Sequence, residues 1–174
     1  MSEETVHLRP MREADLPDYV RWLNDPEITG NMIRSFPGVT VETARPWYQD
    51  PARETWAIEV AGRHVGACSL HLLGEGVAMV QRVIIGDKAS WGKGYGKAAM
   101  RRLLERGFAE LGLQELQIRV NAANARALAL YRSCGFRQRS ITRDVPREDG
   151  VRVDVVEMAI TRAEWQAGGE ERRP

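Results

Sequence analysis

The sequence predicts one α/β domain built on a mixed, mostly antiparallel sheet. Between residues 55 and 85, three strand-like segments are separated by short glycine turns, which favours antiparallel neighbours. A long amphipathic helix then lies between two strands, which favours one parallel pair. The 174 residues are enough for one domain with a hydrophobic core.

Composition excludes several classes of protein. The net charge is +1, and lysines and arginines are spread along the chain, so no nucleic-acid partner is expected. Two cysteines, Cys68 and Cys134, suggest neither a disulfide framework nor a metal site. No apolar run approaches membrane-spanning length, and the first residues are acidic and polar. We therefore expect a cytoplasmic protein without a membrane partner, as a monomer or homodimer.

The first part of the chain is predicted to form one strand and two helices. Residues 6–9 are predicted as a strand. Residues 13–23 carry apolar side chains at helical spacing, and Pro26 ends that helix because the residue before a proline avoids the helical region. Residues 28–39 are predicted as a loop, and Thr40 is a suitable N-cap for a second, short helix.

The middle of the chain is predicted to contain three strands and the central helix. The strands cover residues 55–60, 64–73 and 77–85 and are joined by short glycine turns. Apolar side chains then recur at helical spacing from Met100 onwards, and Gly112 ends the helix.

The last part is predicted to add a strand, a helix and a hairpin. Residues 116–121 alternate between apolar and polar side chains, as a strand does. Asn124 can cap a helix that Gly135 ends. Residues 136–145 and 151–160 are predicted as a final antiparallel hairpin.

No internal repeat or linker divides the chain. We therefore expect a single domain over residues 1–162. Residues 163–174, within the polar stretch RAEWQAGGEERRP, are expected to form a frayed tail.

The stretch SWGKGYGKAAM, residues 90–100, places Gly92, Gly94 and Gly96 directly before the central helix. Glycine costs conformational entropy and is favoured where backbone approaches another group closely or takes a positive φ. Such a loop directs free N–H groups at one point, where the helix dipole adds partial positive charge. Lys93 and Lys97 can add full charges, so the stretch predicts a phosphate site.

Two common phosphate motifs do not fit this spacing. A P-loop needs four residues between its first glycine and its Gly-Lys pair, but five separate Gly86 from Gly92. A dinucleotide fingerprint needs glycine where Lys97 stands. The remaining pattern, x-x-G-x-G-x-G between a strand and a helix, fits either a phosphate loop or a flexible turn.

Together with NARALALYRSCGF, residues 124–136, this loop resembles the GCN5-related N-acetyltransferase (GNAT) superfamily, which uses acetyl-CoA. The resemblance covers about residues 6–160. The first loop residue, usually Gln or Arg in the family, is Trp91 here, a departure typical of the RimJ/RimL-like branch, which is named for acetylation of ribosomal-protein N-termini. The stretches IIGDKASWGKGYG, LRPMREADLPDYVRWLNDPEI and VDVVEMAI are similar to the same branch.

The resemblance implies a sheet splayed at the acetyl-CoA site, helices on both faces, and roles for particular residues. Backbone groups of Ile84, Ile85 and Gly86 would contact the pantetheine arm. The pyrophosphate would be held by Trp91, Gly92, Lys93, Gly94, Tyr95, Gly96 and Lys97. Asn124 would contact the arm near the thioester, and Tyr131 would be the general acid for the departing thiolate. From the residues alone, Asn124 is also a good N-cap and Tyr131 is also a common kind of core residue.

The reaction implied is direct acyl transfer, and no general base is evident for it. Only a neutral amine attacks; an α-amine is roughly a tenth neutral at pH 7, whereas a lysine amine is far less so. Some relatives carry a carboxylate on the strand before the loop, but VAMVQRVII has none. Glu59, His71 and Glu75 are predicted to be surface, packing or turn residues. This absence favours α-amines or other amines of low pKa.

The acceptor pocket is expected, as in relatives, around the segment of residues 24–47. Aromatic and polar residues there are plausible lining, although the aromatics could equally be core: Trp22, Asn24, Phe36, Trp47 and Tyr48. The acidic residues of this region are scattered, so they do not decide for a polycationic acceptor.

The predicted function is acetyl-CoA-dependent N-acetylation of a primary amine, either a protein N-terminal α-amine or a small molecule. One alternative within that class is an acetyltransferase that modifies an antibiotic or a polyamine. A different class is a non-catalytic CoA-binding sensor. A nucleotide-binding module is disfavoured by the spacing of the glycines.

Overall fold

A computed structural model describes residues 4–170 of the protein. One sheet contains seven strands in the order β1-β2-β3-β4-β5-β7-β6. The strands are β1 (Val6–Pro10), β2 (Arg53–Val60), β3 (Arg63–Gly74), β4 (Val77–Ile85), β5 (Glu115–Asn121), β6 (Arg137–Pro146) and β7 (Arg152–Thr161). The α-helices of the described residues are α1 (Leu16–Leu23), α2 (Pro26–Thr29), α3 (Val41–Tyr48), α4 (Tyr95–Glu105), α5 (Ala125–Ser133) and α6 (Arg162–Glu170). Among these residues, no helix combines the length and apolar character that a bilayer crossing requires.

The sheet is antiparallel at every neighbouring pair except β4 and β5. The parallel pairing of β4 with β5 contains three residue pairs and ends at Met79 opposite Gln117. Past this point no ladder joins the two strands, although β4 continues to Ile85 and β5 to Asn121. The predicted mixed, mostly antiparallel sheet with a splayed centre is therefore confirmed.

Helices cover both faces of the sheet, as predicted. Leu103 of α4 belongs to a hydrophobic cluster that includes Cys68 of β3. Leu16 of α1 belongs to a second hydrophobic cluster that includes Ala67, the residue that precedes Cys68 in β3. Because successive strand residues point to opposite faces, α1 and α4 pack on opposite sides of β3.

The predicted caps of α3 and α5 are confirmed. The Thr40 hydroxyl accepts a hydrogen bond from the Thr43 N–H and caps α3, and the Asn124 side chain caps α5. The central helix leaves the α-helical path before Gly112, because residues Arg106–Glu110 form a π-helical turn. Gly112 itself has a φ of +68°, which suits glycine.

The predicted loop over residues 28–39 is shortened at its start by α2. The Asp25 carboxylate accepts a hydrogen bond from the Glu27 N–H at 2.9 Å and so caps this short helix. The Asn-Asp-Pro signal, which predicts a helix end, also begins a new helix, with Asp25 as cap and Pro26 in the first turn.

The prediction of a frayed tail is wrong for residues 163–170, which belong to α6. Thr161 and Glu164 exchange hydrogen bonds of 2.8 and 3.2 Å as a capping box. The Trp165 ring packs 5.3 Å from the ring of Phe108. The T-x-x-E spacing was a readable signal for this helix; residues 171–174 lie outside the described part.

Candidate active site

The gap between β4 and β5 is a cavity of about 560 Å³. Its walls are the two splayed strands, the start of α4, one face of α5 and the segment after α2, together with Trp47 of α3 and Arg53 of β2. Most residues predicted for the site line it: Phe36, Trp47, Ile84, Ile85, Trp91, Gly92, Gly94, Tyr95, Gly96, Lys97, Asn124 and Tyr131. The fold thus brings together residues that are far apart in the sequence.

The start of α4 presents unpaired backbone donors at this cavity. Gly94 is its N-cap with a φ of +80°, and no side chain caps the helix. The first backbone bond of this helix runs from the Ala98 N–H to the Gly94 carbonyl at 3.1 Å. The N–H groups of the first turn, from Tyr95 to Lys97, therefore have no partner inside the helix. This arrangement suits an anion.

The loop before α4 is anchored to β4 by Trp91. The indole Nε1–H of Trp91 donates a hydrogen bond to the Ile85 carbonyl at 2.7 Å. Nearby, the Lys88 ammonium binds the Asp25 carboxylate at 2.7 Å and the Glu27 carboxylate at 2.5 Å. These ion pairs join the segment before the loop to the start of α2.

Near the loop, two cations of the cavity lining have no carboxylate partner within residues 4–170. Lys97 and Arg126 both line the cavity and form no ion pair there. Arg126 was not predicted from the sequence, because a single arginine after a helix cap carries no distinctive signal. Lys93 lies outside the lining, with its ammonium 5.9 Å from the Tyr95 ring centroid, and the Tyr95 hydroxyl donates to Glu4.

The structure corrects the predicted roles of Ile84 and Gly86. The Ile84 carbonyl is directed at β3, since a Cβ on Gly66 would lie 2.1 Å from that oxygen. The Gly86 N–H donates to the Val65 carbonyl at 2.9 Å, also on the side of β3. Of the three residues predicted to contact pantetheine, Gly86 does not line the cavity.

Three of the predicted acceptor residues, Trp22, Asn24 and Tyr48, also lie outside the lining. Trp22 is buried against Gly86, where a Cβ would come within 1.9 Å of the indole, and its ring lies 4.7 Å from that of His64. Asn24 binds both the N–H and the carbonyl of Val39, at 3.1 and 2.7 Å. Trp22 is therefore a core residue, and Asn24 fastens the end of α1 to the following loop.

Asn124 and Tyr131 lie on the opposite wall, at α5. The Asn124 side-chain oxygen accepts a hydrogen bond from the Ala127 N–H at 3.1 Å, so its capping role is confirmed. Tyr131 is buried and makes an edge contact with the Phe136 ring. Burial, and next the nearby Cys134, raise the pKa of the Tyr131 hydroxyl above its ordinary value of 10. The phenol is therefore protonated at neutral pH.

The remaining end of the cavity contains Arg82, which the sequence analysis did not single out. Its guanidinium lies 3.7 Å from the Trp47 ring centroid and 4.8 Å from that of Phe36. The guanidinium also donates a hydrogen bond of 2.9 Å to the Tyr19 hydroxyl. Burial lowers the pKa of Arg82, and the charges of Arg34 and Arg53 lower it further.

Arg82 is placed by an irregularity in β4. The pairing of β3 with β4 shifts between Ala67, opposite Ile84, and Ser69, opposite Gln81. Arg82 takes a φ of +51° at this bulge, an uncommon conformation for a residue other than glycine. Strain of this kind concentrates at functional sites.

The charge of the lining is mostly positive. Among the described residues it has one carboxylate, that of Glu27, which pairs with Lys88. Its basic side chains are Arg34, Arg53, Arg82, Lys97, Arg119 and Arg126. None of the acids and histidines considered as bases, Glu59, His71 and Glu75, reaches the lining.

Comparison with known proteins gives matches along most of the chain. The model of the acetyltransferase (GNAT) domain matches residues 5–137. The uncharacterized N-acetyltransferase p20 of Bacillus licheniformis is 24% identical over 171 residues, which cover 93% of this chain and 96% of that protein.

Solved structures are similar in fold. Spermidine N-acetyltransferase from Vibrio cholerae, in complex with CoA and spermine, has a TM-score of 0.84 at 23% identity, covering 93% of this chain and 98% of the other. A dodecameric structure of the Vibrio cholerae enzyme, in an intermediate state, has a TM-score of 0.75 at 24% identity and covers 92% of this chain and 96% of the other.

Proposed function

This chain belongs to the GNAT acetyltransferase family, and we propose that it transfers the acetyl group of acetyl-CoA directly to a primary amine. Enzymes of this family are N-acetyltransferases that use acetyl-CoA as the donor. The observation that carries the proposal is the uncapped start of α4, which faces the same cavity as Tyr131.

The residues of the cavity fit acetyl-CoA. The diphosphate would be held by the first-turn N–H groups of α4, with Lys97 and Arg126 supplying charges that no carboxylate within residues 4–170 neutralises. The open gap between β4 and β5 leaves room for an extended arm. Trp91 would support this site indirectly, by holding the loop against Ile85.

Tyr131 is our proposed general acid. Bound acetyl-CoA supplies an acetyl group as a thioester, which is converted into the product amide with release of the thiol. The Tyr131 hydroxyl holds its proton because burial raises its pKa, and that proton at Oη is available to the departing sulfur. The attacking nitrogen loses its proton to water, since the described lining provides no unpaired carboxylate.

The finer assignments are proposals that rest mainly on sequence. We retain the RimJ/RimL-like branch, supported by WGKGYG with its leading tryptophan. Polyamine acetylation is the second candidate, because the structural neighbours named above include a spermidine N-acetyltransferase. We also propose that residues 1–162 act as one domain, which the continuous sheet from β1 to β7 supports, and that α6 extends this domain, because its Trp165 packs on Phe108.

The test is titration of the full chain with acetyl-CoA and, separately, with ATP. We expect acetyl-CoA to bind, and thiol release to follow when a panel of peptides, amino acids and polyamines is added. Gly94→Val should abolish acetyl-CoA binding with little change in the circular dichroism spectrum, because valine does not tolerate the φ of +80°. Binding of acetyl-CoA without turnover of any amine would indicate a sensor, and binding of ATP alone would refute the proposal.

A further inference from the structure

The cavity contains a partly buried cation for which the described residues offer no counter-ion. Arg82 forms no ion pair within residues 4–170, and its single hydrogen bond in that range goes to the neutral Tyr19 hydroxyl. A desolvated guanidinium without a carboxylate is costly, and a fork of N–H donors suits carboxylate and phosphate groups.

Arg82 is also held in a defined position. The Trp47 and Phe36 rings contact its guanidinium, Tyr19 accepts its side-chain hydrogen bond, and the bulge of β4 sets its backbone. A side chain that is already ordered loses little conformational entropy when it binds a ligand. The arrangement is therefore a preorganised anion site.

Arg82 is the charge at this end of the cavity that no described carboxylate neutralises. Arg53 lies 5.0 Å from the Trp47 ring centroid and pairs with Asp50, whereas Arg34 pairs with Glu148. Glu27, the carboxylate of the described lining, is engaged by Lys88. A polycation would be repelled by Arg82 and would find no unpaired carboxylate in the described lining, whereas an anionic group would neutralise Arg82.

We propose that Arg82 binds an anionic group of the acceptor, so that the substrate is a primary amine that also carries a carboxylate or phosphate. This inference rests on the acetyltransferase function proposed above.

The experiment measures kcat/KM for thiol release with matched amines. One pair compares α-amino acids with their amides and tests for a carboxylate. The other pair compares O-phosphoethanolamine with ethanolamine and tests for a phosphate. Spermidine is the polycationic amine. In one of the pairs, we expect kcat/KM of the amine with the carboxylate or phosphate to exceed that of its partner without this group by about 30-fold or more. Equal or better use of the amides, ethanolamine or spermidine would overturn the proposal.

Variants test whether Arg82 is responsible. Arg82→Met should remove the preference for the amine that carries a carboxylate or phosphate. Arg82→Lys should retain part of this preference, because lysine keeps the positive charge but loses the forked pair of N–H donors. Arg45→Gln is the control, since Arg45 of α3 lies outside the cavity and pairs with Glu13. A preference that persists in Arg82→Met would exclude this residue.

A second measurement is independent of turnover. The Arg82 Nε–H resonance of the wild-type protein, assigned by its loss in Arg82→Lys, is followed while acetate or inorganic phosphate is added. A saturable shift with either anion supports the proposal even if no amine of the panel is acetylated, and no shift overturns it. Failure of acetyl-CoA to bind would refute the enzymatic function separately, because this titration requires no cofactor.

Discussion

The indole of Trp91 donates its hydrogen bond to the main-chain carbonyl of Ile85, at a distance of 2.7 Å. This bond joins the first residue of the glycine loop to the last residue of β4. A family resemblance places Trp91 in direct contact with the cofactor, whereas in the structure its indole N–H is engaged by the Ile85 carbonyl.

Trp91→Phe should weaken acetyl-CoA binding about tenfold, because it removes the bond and leaves the Ile85 carbonyl without that donor. Calorimetric titration of the variant with acetyl-CoA measures the effect. Trp165→Phe is the matched control, since Trp165 packs on Phe108 far along the chain from the loop. An unchanged Kd in Trp91→Phe would show that the anchor does not contribute.

Tyr131→Phe should lower kcat by about 10²–10⁴-fold and leave acetyl-CoA affinity nearly unchanged, since only the proton donor is lost. The fold should be retained, because the contact with the Phe136 ring does not involve the hydroxyl. The pKa of Tyr131 is raised, so wild-type activity should not decline through loss of this proton below pH 10. Wild-type turnover in Tyr131→Phe would remove the residue from the mechanism.

Gly86→Ala should destabilise the protein by about 1–3 kcal/mol through overpacking. The added Cβ would come within 1.9 Å of the Trp22 indole, so the helix and the strand have to move apart. Thermal unfolding followed by circular dichroism should show a fall in Tm of several degrees. Gly169→Ala is the control, because a Cβ there meets nothing within 4 Å; an equal effect of both substitutions would contradict the packing argument.

Glu148 predicts how the stability of the fold depends on pH. Burial alone raises its pKa, but hydrogen bonds from the Ser35 N–H and the Arg34 guanidinium lower it to about 2. A carboxyl with a lowered pKa stabilises the folded state above its unfolded pKa, near 4.5, and loses that contribution as pH falls towards 2. The hydrogen bonds join the hairpin of β6 and β7 to the segment after α2.

The free energy of unfolding should therefore differ between wild type and Glu148→Gln by a constant amount above about pH 5. The difference should shrink between pH 4.5 and 2, as the carboxyl is protonated in wild type. Chemical denaturation at a series of pH values measures it. A difference that does not change over this range would show that the carboxylate charge does not matter.

Much of the fold could be predicted because its signals are local. Strand alternation, glycine turns and caps such as Thr40 and Asn124 depend on residues a few positions apart, and the structure confirms them. The helix α6 was missed although its Thr161–Glu164 capping box is equally local. The contact that stabilises α6, between Trp165 and Phe108, joins residues far apart in the sequence. The polar composition of this segment therefore favoured the prediction of a frayed tail.

The site was predicted less completely than the fold. Glycine spacing indicated the loop, and the residues around Tyr131 indicated the opposite wall. The proposed acceptor end was not predictable in the same way, because Arg82 stands in an otherwise ordinary strand sequence. The bulge of β4 sets the Arg82 backbone, and Phe36 and Trp47, from two other segments, contact its guanidinium.

The sequence by itself determined the class of sheet, the order of helices and strands and the position of the glycine loop, because each depends on neighbouring residues and on spacing along the chain. Within residues 4–170, the tertiary structure decided which N–H groups lack a helical partner, those that begin α4, and which guanidinium lacks a counter-ion, that of Arg82 beside the neutral Tyr19 hydroxyl. Whether a buried charge or donor is paired depends on side chains from distant segments, and only folding brings those together.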